Sequence, residues 1–291
     1  MRFTHLSLLA TTALAACAQP RSIVVASKNF TEQDILGEIV AQQIERRTQL
    51  AVERRFHLGG TFVCHAALVA GQADVYVEYS GTALVAILKQ PVTSDPDSAL
   101  ARVRAMYRTR FHAEWLAPLG FNNTFAMIVR QGDAGRLPAR TMSAAVPAAR
   151  RWRAGFGYEF IERQDGYPGL ARAYGLTLAG APRVMDLGLT YRALADSQVD
   201  LIAGNSTDGQ IEALHLVALE DDRHYFPPYQ AAPVVRDEAL RRHPELRRAL
   251  DELAGTMSDS VMRRMNYLVD VEHRDVKQVA REFLAGVPAR R

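Results

Sequence analysis

The feature that most constrains the fold of this chain is a short segment that occurs twice. Ala67–Val75 aligns with Ala193–Leu201 at an offset of 126 positions, and both copies carry Ala-Leu, then Gln, then Asp at equivalent places. Each copy has the pattern of a helix, a tight turn and a buried strand, and a polar loop follows, Tyr79–Thr82 or Asn205–Asp208. Because ligands bind at the carboxyl ends of strands in open α/β sheets, the repeat predicts two similar lobes facing one cleft. Chance similarity over nine positions is the alternative.

The first part of the chain alternates short strand patterns with helical patterns. Ile23–Ala26 and Ala51–Phe56 read as strands, and the segments beginning at Thr31 and Thr61 read as helices, with Thr31 expected to cap the first of them. Such alternation is typical of an α/β fold with crossover connections. Hydrophobic residues make up 48% of the 291 positions, which is enough to build the cores of such a fold.

The charge and cysteine counts exclude two classes of protein. The 35 Lys and Arg residues are mixed with 32 Asp and Glu residues rather than gathered in a basic stripe, so no nucleic-acid partner is expected. Two cysteines exclude a disulfide-built scaffold. Cys64 and His65 have no second cysteine or histidine at ligand spacing, so we expect neither a metal site nor a cofactor.

The first residues resemble a bacterial export signal. Met1-Arg2 is basic, Leu6–Leu14 is apolar, and small residues directly precede Cys17. The apolar run is about half of the roughly 20 residues that a membrane span needs. We therefore expect residues 1–17 to contain a lipoprotein signal with Cys17 as the lipidation site, a plain cleaved signal being the alternative. The rest would lie at the periplasmic or cell-surface face of the cytoplasmic membrane, held there by the lipid.

Six motifs follow one another in a recognisable order. They are Ser27–Gln33, Leu58–Thr61, Glu78–Thr82, Gly120–Thr124, Ser206–Gly209 and Asp221–Tyr229. Together they resemble the osmoprotectant-binding family, the glycine betaine, choline and carnitine type substrate-binding proteins of ABC importers. The resemblance implies a type II periplasmic-binding-protein fold, with lobe one from residues 22–121 and 211–291 and lobe two from residues 122–210. It also implies a monomeric receptor that closes on a small zwitterionic or cationic solute and delivers it to an ABC permease, its partner, and through the permease it would work with the ATPase subunit.

A quaternary ammonium ion cannot donate hydrogen bonds, so a protein selects it with aromatic faces, and a carboxylate on the same solute needs cationic or N–H partners. The resemblance assigns Tyr79 and Tyr229 to the aromatic cage, Lys28 and Thr82 to polar contacts, and Arg163 to the carboxylate. The full set of expected ligand contacts is Lys28, Asn29, Phe30, Tyr79, Thr82, Asn123, Phe125, Arg163, Asn205, Ser206, Thr207 and Tyr229. A structural ion pair within Glu159–Asp165 is the competing role for Arg163.

Two positions depart from the family pattern, since Phe125 and Asn205 stand where tyrosines are common. Phenylalanine keeps an aromatic face, whereas asparagine removes one and adds a hydrogen-bond donor and an acceptor. A polar amino acid or an amino-acid betaine therefore stays open as the ligand.

An enzyme is the alternative from a different class. The sequence has no Gly-x-Ser-x-Gly elbow, Walker loop, His-Glu-x-x-His or Gly-x-Gly-x-x-Gly motif. Asp208 is expected to cap the helix that follows it, and the apolar spacing of the last fifty residues, including Leu246, Leu250 and Leu253, predicts structural packing.

Overall fold

The computed structural model describes residues 22–288, so Cys17 and the predicted signal lie outside the described residues. The strands are β1 Ile23–Lys28, β2 Val52–Gly59, β3 Val75–Tyr79, β4 Ala113–Trp115, β5 Phe125–Arg130, β6 Ala154–Phe156, β7 Arg183–Val184, β8 Leu201–Asn205, β9 Leu216–Leu219 and β10 Ala231–Arg236. The helices before β8 are α1 Thr31–Arg47, α2 Thr61–Val69, α3 Ser80–Thr82, which continues as a π-helical turn Ala83–Ile87, α4 Pro96–Phe111, α5 Gln131–Ala134, α6 Met142–Ala149, α7 Tyr158–Glu162, α8 Tyr167–Tyr174 and α9 Leu187–Ala195. Those after it are α10 Gln210–Ala213, α11 Asp237–Arg242, α12 Pro244–Asp251, α13 Asp259–Asp270 and α14 Val276–Ala285.

The strands form two five-stranded mixed sheets of matching design. Their orders are β2-β1-β3-β10-β4 and β7-β6-β8-β5-β9. In each, the third strand pairs in parallel with the second and antiparallel with the fourth. Helices pack on both sheets, which confirms the predicted α/β class.

The sequence repeat occupies the same place in both sheets. The carbonyl of Ala67 accepts hydrogen bonds from the backbone N–H groups five and six positions further along the chain, and the carbonyl of Ala193 does the same. Asp74 accepts a 3.0 Å hydrogen bond from the backbone N–H of Val24 in β1, and Asp200 accepts one of the same length from Arg153, directly before β6. The repeat is therefore structural rather than a chance similarity, and its strands β3 and β8 end at the cleft.

The boundary between the lobes differs from the expected one. Residues 211–291 were assigned to lobe one, but β9 pairs with β5 in the second sheet, and its Val217 and Leu219 are buried in that lobe's core. The chain therefore returns to lobe one between β9 and β10. The two connecting segments lie side by side, since Asn122 pairs with Gln230 in an antiparallel bridge.

The two chain ends of lobe one pack together. The apolar face of α1 is buried against α12, α13 and α14, and Leu246, Leu250 and Leu253 are buried as predicted. The predicted cap is wrong: α1 has no side-chain cap, and the Thr31 hydroxyl instead donates a 2.5 Å hydrogen bond to Asp270. Within residues 22–288, no helix combines the length and the apolar character that crossing a bilayer requires.

Candidate functional site

A cavity of about 310 Å³ lies between the two sheets, at the carboxyl ends of β1, β3 and β8. This volume is at the lower end of the range of small-molecule sites. All the predicted contact residues line the cavity except Ser206 and Thr207. The sequence repeat, the connecting segments and both lobes therefore meet at one site.

Phe125 and Tyr229 form an aromatic corner of the cavity. Their ring centroids are 5.6 Å apart and the ring planes are inclined at 77°, an edge-to-face arrangement. Tyr229 is only 2% exposed and lies on the connecting segment beside β10. A Cβ atom on Gly81 would lie 2.8 Å from the Tyr229 ring, so a glycine at position 81 lets this ring pack here.

Two cavity residues, Lys28 and Arg163, are positively charged, and a third, Thr82, provides a hydroxyl. We call these three residues the basic group. Lys28 Nζ lies 2.5 Å from Glu78 Oε1 and donates a 3.1 Å hydrogen bond to the Thr61 hydroxyl. Arg163 Nη2 donates a 3.1 Å hydrogen bond to the Thr82 hydroxyl across the cleft. Both cations are buried, and both have a carboxylate partner from their own lobe.

The partner of Arg163 is Asp165. Arg163 Nε donates to Asp165 Oδ1 at 2.9 Å, and Nη2 donates to Asp165 Oδ2 at 2.5 Å. The structural ion pair that was the alternative to a ligand-binding role for Arg163 is therefore present. The Tyr229 hydroxyl also donates to Asp165 Oδ2, at 2.8 Å, and the Phe125 ring lies 5.1 Å from the guanidinium carbon. Arg163 thus lines the cavity and also holds the aromatic corner in position.

Acidic residues face another part of the cavity, and we call Glu32, Asp208 and Asp270 the acidic group. Glu32 is buried and accepts four hydrogen bonds, from Tyr79 OH, Asn123 Nδ2, Thr207 Oγ1 and Asn266 Nδ2. Burial raises the pKa of the Glu32 carboxyl, and these four hydrogen bonds oppose the rise. The Thr207 contact crosses the cleft, so Glu32 links the two lobes.

Asp208 does not cap α10, which contradicts the expected role. Its Oδ2 accepts hydrogen bonds from the Tyr191 hydroxyl at 2.6 Å and from the backbone N–H of Asn205 at 2.9 Å. Burial first, and then the charges of Glu32 and Asp270, raise the pKa of Asp208 to about 7. Tyr191 also lines the cavity, and its hydroxyl shares Asp208 Oδ2 with the backbone N–H of Asn205.

Ser206 and Thr207 lie one layer behind the cavity wall. The Ser206 hydroxyl accepts a hydrogen bond from the backbone N–H of Thr124, and the Thr207 hydroxyl donates to Glu32 at 2.5 Å. Ser206 and Thr207 were predicted to contact the ligand, but in this structure they hold Thr124 and Glu32 in position. Asn205 does line the cavity, with its Nδ2 3.3 Å from Asp208 Oδ2.

Several cavity residues were missed by the sequence analysis. Glu32 and Asp208 lie inside two of the six motifs, next to residues that were expected to contact the ligand. Their position in the sequence could therefore have identified them as cavity residues. Asn266 and Asp270 lie four residues apart on α13, on a helix whose Met262 and Met265 are buried in the core, and the sequence offered no sign of them. Only the packing of α13 against α1 brings them to the cleft.

A further contact closes the cleft at the start of α2. The backbone N–H of Thr61 donates a 2.5 Å hydrogen bond to Glu159 Oε1 from the opposite lobe. A Cβ atom on Gly60 would lie 2.1 Å from that oxygen, so a side chain there would displace Glu159. A carboxylate at a helix N-terminus is favourable, because the first N–H groups have no partner within the helix.

The raised pKa of Asp208 predicts a pH-dependent stability. A carboxyl whose pKa rises from 3.8 to about 7 on folding stabilises the folded state at low pH, and this contribution is lost as the pH rises through that window. We expect the melting temperature of the wild-type protein, measured relative to that of Asp208→Asn, to fall between about pH 4 and about pH 7 and to level off above that. Asp196→Asn, at an exposed position, is the control and should show a constant difference. A constant difference for Asp208→Asn as well would contradict the assignment.

Comparison with known proteins is consistent with this geometry. The family described as the substrate-binding domain of ABC-type glycine betaine transport systems matches residues 21–286. The chain is 35% identical to the carnitine transport binding protein of Listeria monocytogenes, over 97% of this chain and 94% of that protein. It is 34% identical to the ergothioneine transport permease and binding protein of Helicobacter pylori, over 91% of this chain and 48% of that protein.

A solved structure of a glycine betaine/carnitine/choline ABC transporter protein has a similar fold. The TM-score is 0.74 at 32% identity, and the match covers 91% of this chain and 98% of that one. The type II periplasmic-binding-protein fold expected from the motifs is therefore confirmed. The chain belongs to the family of substrate-binding domains of ABC-type glycine betaine transport systems.

Proposed function

We propose that this protein is an exported, lipid-anchored receptor that binds a small quaternary-ammonium or zwitterionic solute, such as glycine betaine, choline or carnitine, and delivers it to an ABC permease. The observation that carries the proposal is the aromatic corner of Phe125 and Tyr229, which lines a cavity between the two lobes beside a buried guanidinium. Aromatic faces attract methylated ammonium groups by about 0.5–2 kcal/mol each. The relatives named above, which are binding proteins of transport systems, support the same role.

The basic group is the proposed site for a carboxylate of the solute. Arg163 and Lys28 already have carboxylate partners, so the solute carboxylate would add to two neutralised pairs rather than meet free cations. Its contacts would be the Thr82 hydroxyl and the N–H donors of Arg163 and Lys28 that face the cavity. This arrangement favours zwitterions by hydrogen bonding more than by net charge.

Closure of the two lobes is the proposed step that captures the solute. The contacts that cross the cleft include those of Arg163 with Thr82, of the Thr61 backbone N–H with Glu159, of Glu32 with Thr207, and of Asp165 with Tyr229. Each of them would form only when the lobes meet around the cavity. Because closure also excludes water, the aromatic and charged contacts to the solute would strengthen, and the closed shape would be what the permease recognises.

Two solutes with the same trimethylammonium group test the carboxylate site. Glycine betaine has a carboxylate and choline a hydroxyl, so we expect Arg163→Lys to weaken glycine betaine binding at least about fivefold more than choline binding, because lysine lacks the planar fork. Isothermal titration calorimetry measures both affinities, and recovery of unchanged solute excludes turnover by an enzyme. Equal losses for the two solutes would assign Arg163 a purely structural role, and absence of binding by either would refute the proposed function.

The runner-up is an amino-acid betaine or a polar amino acid bound in the same cavity. Asn205 favours it, because this side chain brings polar groups to the cavity at a position where the family resemblance implies an aromatic face. The Helicobacter pylori relative is named for ergothioneine, which is itself an amino-acid betaine. A thermal-shift screen of betaines, choline, carnitine and amino acids would rank these classes.

A further inference from the structure

We propose that Gly60, Thr61 and Glu159, which we call the latch, stabilise the closed arrangement of the two lobes and so slow the release of any solute in the cavity. This inference rests on the proposed function, because it concerns how the same cavity retains its solute. Gly60 directly precedes α2 and Thr61 is the first residue of that helix, both in lobe one. Glu159 lies in α7, in lobe two.

The opposite lobe, and not the local backbone, explains why position 60 is a glycine. The φ of −75° and ψ of −169° of Gly60 are extended angles, which residues with a side chain also adopt. The three atoms nearest to a Cβ at this position would be Glu159 Oε1 at 2.1 Å, the Tyr158 hydroxyl oxygen at 2.6 Å and Glu159 Cδ at 2.8 Å. All three atoms belong to lobe two. The missing side chain is therefore needed only when the lobes are closed.

Glu159 gives α2 the N-terminal partner that the helix itself lacks. The N-cap residue of α2 is Gly60, which has no side chain to accept a hydrogen bond, and the first turn contains no acidic residue. The first N–H groups of a helix have no partner within it, and a negative charge beside them is favourable. Glu159 Oε1 accepts a 2.5 Å hydrogen bond from the backbone N–H of Thr61. Lobe two therefore caps a helix of lobe one, and opening the cleft would remove that cap.

The latch lies beside the part of the cavity where the solute carboxylate is expected. In lobe one, the Thr61 hydroxyl accepts a 3.1 Å hydrogen bond from the buried Lys28 Nζ. In lobe two, Glu159 Oε2 lies 3.7 Å from Arg163 Nη1. The latch thus connects the two cations of the basic group, one from each lobe, and its closure would retain a solute bound between them.

A latch differs from a solute contact in its effect on selectivity. The groups that surround the Glu159 carboxylate are the Thr61 N–H, the Tyr158 hydroxyl at 3.4 Å and the Arg163 guanidinium, and all of them belong to the protein. Apparent affinity is proportional to the fraction of protein that can adopt the binding-competent state. Weakening the latch should therefore weaken the binding of every solute by the same factor, whereas the loss of a solute contact changes the affinities by different factors.

The test uses two variants, one in each lobe. In Gly60→Ala the added methyl group would push the Glu159 carboxylate away from the Thr61 N–H, and in Glu159→Ala that carboxylate is absent. By isothermal titration calorimetry with glycine betaine and choline, we expect Gly60→Ala to weaken binding at least about fivefold and Glu159→Ala at least about tenfold. For each variant the two factors should agree within about twofold. Stopped-flow displacement of glycine betaine should show that release becomes faster.

A double variant and two controls complete the design. Gly60→Ala combined with Glu159→Ala should bind within about twofold of Glu159→Ala alone, because both changes break the same hydrogen bond. Gly132→Ala is the control for the added methyl group, since no atom of the described residues lies within 4 Å of its Cβ position. Glu162→Ala is the control for α7, because Glu162 is exposed on that helix. Both controls should keep the wild-type affinities.

The outcomes separate this inference from the proposed function. If both single variants keep the wild-type affinities, if the losses differ between the two solutes, or if the losses multiply in the double variant, the latch is refuted and the receptor role stands. If the wild-type protein binds neither solute, both proposals are refuted. Thermal melting identifies a variant that fails to fold, and the single variant in the other lobe then decides.

Discussion

Replacing Asp165 by asparagine is expected to lower the free energy of unfolding by about 3–5 kcal/mol. Asp165 is fully buried and accepts two hydrogen bonds from Arg163 and one from the Tyr229 hydroxyl. Asparagine keeps the shape but removes the charge, so the Arg163 guanidinium would stay buried without its main counter-ion. The remaining carboxylate, Glu159, lies 3.7 Å from Arg163 Nη1, too far for a good hydrogen bond.

Urea denaturation of wild-type protein and variants measures this loss. The matched control is Glu53→Gln, which removes the carboxylate from the exposed pair of Glu53 and Arg55, where the two side chains are 46% and 41% exposed. Its cost should stay below about 1 kcal/mol, because water screens an exposed pair. A double variant, Arg163→Met with Asp165→Leu, should recover most of the stability, since no buried charge is then left unpaired. If the Asp165→Asn protein is as stable as the control variant, the buried pair of Arg163 and Asp165 does not stabilise the fold as predicted.

Replacing Tyr229 by alanine is expected to weaken solute binding at least about tenfold, or about 1.4 kcal/mol. The ring forms the aromatic corner with Phe125. In the proposed closed complex, its loss would take away a cation–π contact with the solute and would admit water to the cavity. The same change opens a void around a residue that is 2% exposed, and so it should also lower the melting temperature.

Tyr229→Phe separates the ring from the hydroxyl. Phenylalanine keeps the aromatic face and loses only the 2.8 Å hydrogen bond to Asp165, so its affinity should stay within about threefold of the wild type. Calorimetry with glycine betaine on both variants, with circular dichroism as a check of folding, makes the comparison. If Tyr229→Ala binds the solute with wild-type affinity, Tyr229 does not contribute to the binding site.

The repeat shows how far the sequence could predict the fold. Four identities in nine positions were enough to place β3 and β8 at equivalent positions of two sheets, because each copy carries its own turn chemistry. The lobe boundary could not be read in the same way. Leu216–Leu219 is a four-residue strand with no repeat partner in the sequence, and only its pairing with β5 assigns it to lobe two.

Arg163 and Asp208 show which features of the site could not be predicted from the sequence. The sequence Glu159–Asp165 allowed Arg163 either a ligand or an ion-pair role, and the fold gives it both a buried partner and a place on the cavity wall. Asp208 had the local pattern of a helix cap. Its side chain instead accepts a hydrogen bond from Tyr191, because packing brings α9 beside the loop after β8.

The sequence alone determined the α/β class, the repeat and the polar residues that follow each strand of the repeat, since these depend on periodicity and on turn residues that are close in the chain. It also carried the six motifs on which the family resemblance rests. Only the tertiary structure decided which charges pair and which acceptors stay free. The amide of Asn266 reaches Glu32 across 234 positions of sequence, and Thr207 reaches it across 175. A hydrogen bond depends on distance and direction in space, and neither is encoded locally for residues so far apart in the chain.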